Sequence, residues 1–211
     1  MSDNTHCFDL EYLKHLLEET NKKQEAFPFQ IPDETGCDVS FIPSKLRIYW
    51  PGRIDTPYFR WEMEKAHISE KPKLSKVAKN YFRLVRKDGR LLRVDTYIGG
   101  RLDVIQIAHY DGDRRYCFPF SATGGFYPTY VDVVRFQDGH AVEAYMVRSN
   151  QILYRDFRYT DPSRIELREI NYVPTGTEPI LSKSVGYFEE TNKLRYVETY
   201  GWTFQDGPES K

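Results

Sequence analysis

Long apolar runs are missing from this chain of 211 residues. No stretch approaches the ~20 residues that a membrane helix needs. The opening Met-Ser-Asp-Asn-Thr-His lacks the basic-then-apolar order of a secretory signal, so a cytoplasmic location without a membrane partner is the expectation. Cysteine is sparse: Cys7, Cys37 and Cys117 are odd in number, far apart and outside any Cys-x-x-Cys pair. That spacing argues against both a disulfide framework and a zinc knuckle, leaving ordinary reduced thiols. Net charge is almost absent as well. Thirty basic residues stand against 31 acidic ones, a formal charge of -1, which removes the long-range attraction that nucleic-acid binders rely on. No nucleic-acid partner is expected.

Catalytic patterns are equally scarce. His6, His15, His67, His109 and His140 show no i, i+4 pair and no local Cys/His cluster, so no metal is expected. Ser121-Ala-Thr-Gly-Gly-Phe has neither a Gly-Lys-Ser/Thr ending nor a following helical pattern, and no Gly-x-Ser-x-Gly elbow occurs. Cys117, inside Arg-Tyr-Cys-Phe-Pro-Phe, reads as a buried small hydrophobe. The reading is therefore of a protein without catalytic residues or cofactor.

What the chain does hold is rings: 16 Tyr, 13 Phe and 3 Trp, 15% of all residues. Near the start, Phe8, Tyr12, Leu13, Leu16 and Leu17 recur at helical spacing, predicting one amphipathic helix from about Asp9 to Lys23. Pro28, Pro32, Pro43, Pro51 and Pro57 then exclude long helices. Lys45 to Trp50 and Tyr58 to Ala66 read there as short strands, the second alternating Phe59, Trp61 and Met63 against Arg60, Glu62 and Glu64. The lysine-rich stretch Ser69 to Asn80 reads as a loop or short helix, and as the one internal boundary.

Beyond Asn80 the pattern has period two. Leu92, Val94 and Ile98 alternate with Arg93, Asp95 and Tyr97, and Ile152 to Tyr159, Ile165 to Tyr172 and Leu194 to Tyr200 behave alike. Asp88-Gly89, Asp111-Gly112, Asp138-Gly139, Asp161-Pro162 and Thr191-Asn192 punctuate these runs at separations of 23, 27, 23 and 30 residues. The fold class expected is mainly β: an antiparallel meander of about eight to ten strands, in a strongly curved sheet or barrel, with one N-terminal amphipathic helix. Residues 1–80 would pack on the meander of 81–204 as one structural domain, and 205–211 would form a flexible tail.

Three hairpins share a shape. Tyr81 to Tyr97, Val133 to Tyr145 and Val185 to Tyr200 each run from an aromatic or apolar strand through a polar turn to an alternating strand that ends in Tyr. This resembles the YD or Rhs-type β-hairpin repeats of bacterial polymorphic toxin systems and some of their immunity proteins. The resemblance implies a cognate toxin or effector as partner. A long meander after a helix is also similar in architecture to calycin-type barrels, which implies a small apolar or aromatic ligand, with lyase or isomerase activity as a further option.

Thirteen of the 16 tyrosines lie in residues 81–211, and between Lys87 and Lys183 there are eleven arginines, thirteen acidic residues and no lysine. Arg and Tyr are enriched at interface hot spots, whereas on a solvated sheet face they pair across strands with carboxylates. The compact polar run His109, Tyr110, Asp111, Asp113, Arg114 and Tyr116 and the ring-rich loop with Phe126, Tyr127 and Tyr130 are the candidate partner- or ligand-binding residues. Phe118 and Phe120 open that loop, whose rings must either plug the sheet or meet a partner. The expectation is an immunity-like protein that covers a cognate effector with its Arg/Tyr-rich sheet face and loops.

Overall fold

The computed structural model of the chain describes residues 10–43, 51–76, 78–123, 130–161, 164–173, 180–188 and 194–203. Lys45 to Trp50, Phe126, Tyr127, Cys7 and the tail from 205 lie outside these residues. Among these residues two α-helices, α1 (Leu10–Ala26) and α2 (Pro57–Lys65), accompany eleven strands. These are β1 (Asp38–Pro43), β2 (Tyr81–Lys87), β3 (Arg90–Ile98), β4 (Arg101–Asp111), β5 (Arg114–Ser121), β6 (Val131–Gln137), β7 (His140–Arg148), β8 (Gln151–Asp161), β9 (Arg164–Tyr172), β10 (Ile180–Phe188) and β11 (Leu194–Thr203). Sheet neighbours follow chain order throughout, so the mainly β antiparallel meander is present. Its ten strands β2 to β11 arise from the region after Asn80, and β1 adds one from the proline-rich segment. The order is linear, with β1 and β11 at opposite ends. The alternative of a closed barrel is therefore corrected: among the described residues no pairing joins the first strand to the last.

Turn chemistry explains the strand joints. Asp88-Gly89 and Asp138-Gly139 have φ of 50° and 76°, and of 51° and 79°, the two positive values that a type I′ turn requires. Gly99-Gly100, at 61° and 80°, closes β3 onto β4 in the same way. Between β4 and β5 the central pair is Gly112-Asp113, one residue later than the sequence implied. There only Gly112 has positive φ, and Asp111 pairs with Arg114 as the last rung of the ladder.

The chain divides into two compact units, Phe27–Ala144 and Met1–Ala26 with Tyr145–Lys211, a division that falls within β7. The described residues of the Ser69 to Asn80 segment, 69–76 and 78–80, are loop inside the first of them, attached by the bridge of Lys71 to Phe41.

In the unit of residues 27–144, both sheet faces are covered. On one face, Ile42, Phe82, Leu84 and Val94 pack against Ile54, Phe59 and Ile68 from the segment around α2. On the other, Phe27 stacks on Phe118 with ring centroids 4.4 Å apart, and Phe29 lies 5.0 Å from Phe120. Phe41, Tyr81 and Tyr97 continue that side as a row of rings, the last two stacked at 4.5 Å. The expectation of one solvated face for β3 is thus overturned: Arg93 and Asp95 are buried along with Val94.

Tyr58 to Ala66 is likewise corrected from strand to helix. Thr56 is extended and caps α2, its hydroxyl accepting from the Phe59 N–H at 3.2 Å, and Pro57 takes the first helical position. Phe59, Met63 and Ala66, spaced i, i+4 and i+7, all join the core.

In the other unit, α1 buries Leu13, Leu16, Leu17 and Thr20. Tyr12 meets Tyr154 of β8 edge-on at 6.3 Å, and the Asn21 amide donates to the Ser149 carbonyl at 2.8 Å. On β8 and β9, Arg155 pairs with Glu169, and Arg168 Nε donates to Asp156 at 2.8 Å. Arginine and carboxylate stand directly opposite in each case, as the strand register places them.

Candidate functional site

Antiparallel alternation puts the turns after β2, β4 and β6 at one end of the 27–144 unit. These tips are exposed: Asp88, Gly89 and Arg90 on the first, Asp111, Gly112 and Asp113 on the second, Asp138, Gly139 and His140 on the third. Side chains tie the tips together. The Arg90 guanidinium lies 4.7 Å from the centre of the Tyr110 ring, joining the first tip to the second. Arg135 of β6 stands 3.6 Å from Asp113 and donates to Glu143 of β7 at 2.8 Å, joining the second to the third. The Phe136 N–H donates to the Asp113 carbonyl at 2.8 Å. The result is a mixed-charge edge held by short hairpins.

The residues singled out from sequence part company here. Asp111 and Asp113 are exposed at the second tip, and Tyr110 and Arg114 are half-buried beside it. Burial pushes the Tyr110 phenol up, with Arg115 opposing. His109 is exposed and has Phe27 5.4 Å from its ring. Tyr116 is fully buried and stacks on Phe118 at 6.0 Å. Tyr130 is half-buried just before β6. Phe118 and Phe120, read from sequence as the start of a loop, lie in β5 and are buried.

Sequence reasoning missed two ionic clusters inside this unit. The first joins the turn at Pro51–Arg53 to β4, β5 and β6. Arg115, 1% exposed, pairs with Asp55 and donates to the Gly52 carbonyl at 3.0 Å. Asp132, also 1% exposed, receives Gln106 Nε2 at 3.1 Å and has Arg53 Nε at 3.3 Å. Burial raises the Asp132 carboxyl despite Arg53. It also pushes the Cys117 thiol up to about 12, against the opposing pull of Arg115, so this cysteine is held as an unreactive thiol. The second cluster sets Arg83 and Arg93 against Asp95 and Glu34. Arg83 holds the Glu34 carboxyl below its ordinary range.

These contacts show where much of the lysine-free arginine stretch goes: Arg93, Arg115, Arg135, Arg155 and Arg168 all face carboxylates. A planar guanidinium satisfies two carboxylate oxygens at once, which an ammonium cannot do. The only sequence signal for the clusters is that matched Arg and Asp/Glu usage. Among the described residues no group of three His, Cys, Asp or Glu side chains is placed to hold a metal, and no helix is long and apolar enough to cross a membrane. Compared with models of known protein families, with curated proteins and with solved structures, the chain matches none.

Proposed function

We propose that the chain is a non-enzymatic binding protein of the immunity or antitoxin type, which neutralises a cognate bacterial effector by occluding its active site. The observation that carries this reading is the edge of three cross-braced hairpin tips. Exposed Asp, Arg and His with a half-buried Tyr, on strands that hold them in place, make a surface suited to one particular partner. The contact surface moves accordingly from the sheet face to the tips, because both faces of the 27–144 unit are covered by their own chain.

The test is co-purification with the product of the adjacent gene, followed by titration calorimetry. A stoichiometric complex is expected, and charge reversal at the tips, Arg90→Glu with Asp113→Lys, should weaken it at least ~10-fold, the loss that one hot spot commonly carries. Failure to form a complex would refute the cognate-effector assignment. A complex indifferent to both reversals would refute the tip surface.

A further inference from the structure

Within the 27–144 unit, Arg83, Arg86, Arg93 and Arg115 each face a carboxylate. At the end opposite the hairpin tips, where β3 turns into β4, the cations do not. Lys71, Lys73, Lys76 and Lys79 of the loop before β2, and Arg101 at the start of β4, are exposed and pair with no carboxylate among the described residues. Glu70, the one acidic residue between positions 69 and 80, is already engaged by Arg86 at 2.6 Å.

Backbone hydrogen bonds fix where this loop runs. Lys71 exchanges two with Phe41 of β1, each of 2.8 Å. The Lys79 carbonyl accepts from the Gly100 N–H at 2.6 Å, and Asn80 Oδ1 from the Gly99 N–H at 2.7 Å. Arg101 stands opposite Ile98 across that turn. The loop and the turn therefore flank a row of rings on three neighbouring strands, Phe41 of β1, Tyr81 of β2 and Tyr97 of β3. Tyr81 stacks on Tyr97 at 4.5 Å and meets Phe41 edge-on at 6.0 Å. All three are half-buried, and neither phenol makes a hydrogen bond among the described residues.

Two separate features thus point to one ligand. Clustered cations without countercharge repel one another and favour a polyanion. Partly exposed rings in a row offer surfaces on which bases stack, and a positive track beside such rings is how single strands are held. A duplex would satisfy the cations alone, because its base faces are already stacked. The chain's near-zero net charge does not oppose this, since charges beyond a Debye length of about 8 Å are screened and only the local ones are felt.

We propose that this end of the unit is a binding site for single-stranded nucleic acid, whose bases stack on the ring row and whose phosphates meet the lysine loop and Arg101. The site is separate from the hairpin tips and stands without them.

The probe is a fluorescein-labelled oligothymidylate of about 12 nucleotides, titrated with the full chain and followed by fluorescence anisotropy. Saturable binding is expected, with a slope of log affinity against log salt of about −3.5 for five neutralised phosphates. Lys73→Gln/Lys76→Gln/Lys79→Gln should weaken it at least ~10-fold and bring the slope to about −1.4. Tyr97→Leu should weaken it at least ~5-fold with the slope unchanged, and Tyr97→Phe should bind as the native chain does. A duplex of the same length and inorganic polyphosphate should compete poorly. Should Tyr97→Leu fail to fold by circular dichroism, the duplex comparison decides alone, since it needs no variant. Absence of saturable binding, equal binding of duplex and single strand, or full affinity in folded Tyr97→Leu overturns the proposal.

Discussion

A methyl group built on Gly52 would lie 2.7 Å from Asp132 Cβ and 2.8 Å from Cys117 Cβ. Both carbons are fixed to paired strands, so neither can yield without moving β5 or β6. Gly52→Ala is therefore expected to cost about 1–3 kcal/mol, the range for overpacking a filled core, read as a lower urea midpoint. The same tight packing protects Cys117. With its thiol pushed up to about 12 and its side chain buried, iodoacetamide at pH 8 should leave it unlabelled in the native protein and label it after unfolding. Native labelling seen by mass spectrometry would contradict the burial. That Cys117 is a small buried hydrophobe was legible from its Phe and Pro neighbours. Gly52 was not, because Arg115 and Cys117, whose side chains donate to its carbonyl, lie 63 and 65 residues away, and no local pattern encodes such a distance.

At the level of elements, hairpins were the legible part, since Asp-Gly pairs and alternating side chains are local signals whose geometry hardly depends on the rest of the fold. The segment after Pro57 was ambiguous for a physical reason. Phe59, Trp61 and Met63 satisfy a strand's period of two, while Phe59, Met63 and Ala66 satisfy a helix, and the cap at Thr56 decides between them. The Thr56 hydroxyl accepts from the Phe59 N–H and donates to the Arg53 carbonyl at 2.8 Å, so it binds the helix start to the turn that carries Gly52 and Arg53. Thr56→Ala should cost about 1–2 kcal/mol, and Thr56→Ser should restore most of it, in thermal or urea unfolding. Equal loss in both variants would assign the effect to the methyl group instead. The segment at 27–36 was illegible for the opposite reason: its prolines announce extended chain, but which face it covers depends on Phe118, Phe120, Arg83 and Arg93 far along the sequence.

For the whole molecule, near-neutral net charge conceals two carboxylates with opposite effects on stability. Glu34 is held below its ordinary 4.5, first by the hydrogen bond from Arg83. The unfolded chain then binds its proton more readily than the folded one, so the contribution of Glu34 is present above about pH 4.5 and lost as pH falls through the lowered folded value. Asp132 is raised above its ordinary 3.8, first by burial, with Arg53, Gln106, the Gly52 backbone and Arg115 opposing. Here the folded chain holds the proton more tightly, so its contribution is present below about pH 3.8 and lost as pH rises through the raised folded value. Subtracting the unfolding free energy of Glu34→Gln from that of the native chain should give a difference that rises with pH between about 3 and 7. The same subtraction for Asp132→Asn should give one that falls. Each substitution removes titration while keeping an amide able to hydrogen-bond, so the slopes report protons rather than lost packing. Urea unfolding of the three proteins at four pH values measures both. Slopes of the same sign would mean that Arg53 outweighs burial at Asp132, and that the cluster around Gly52 holds a stabilised carboxylate instead of one kept at a cost.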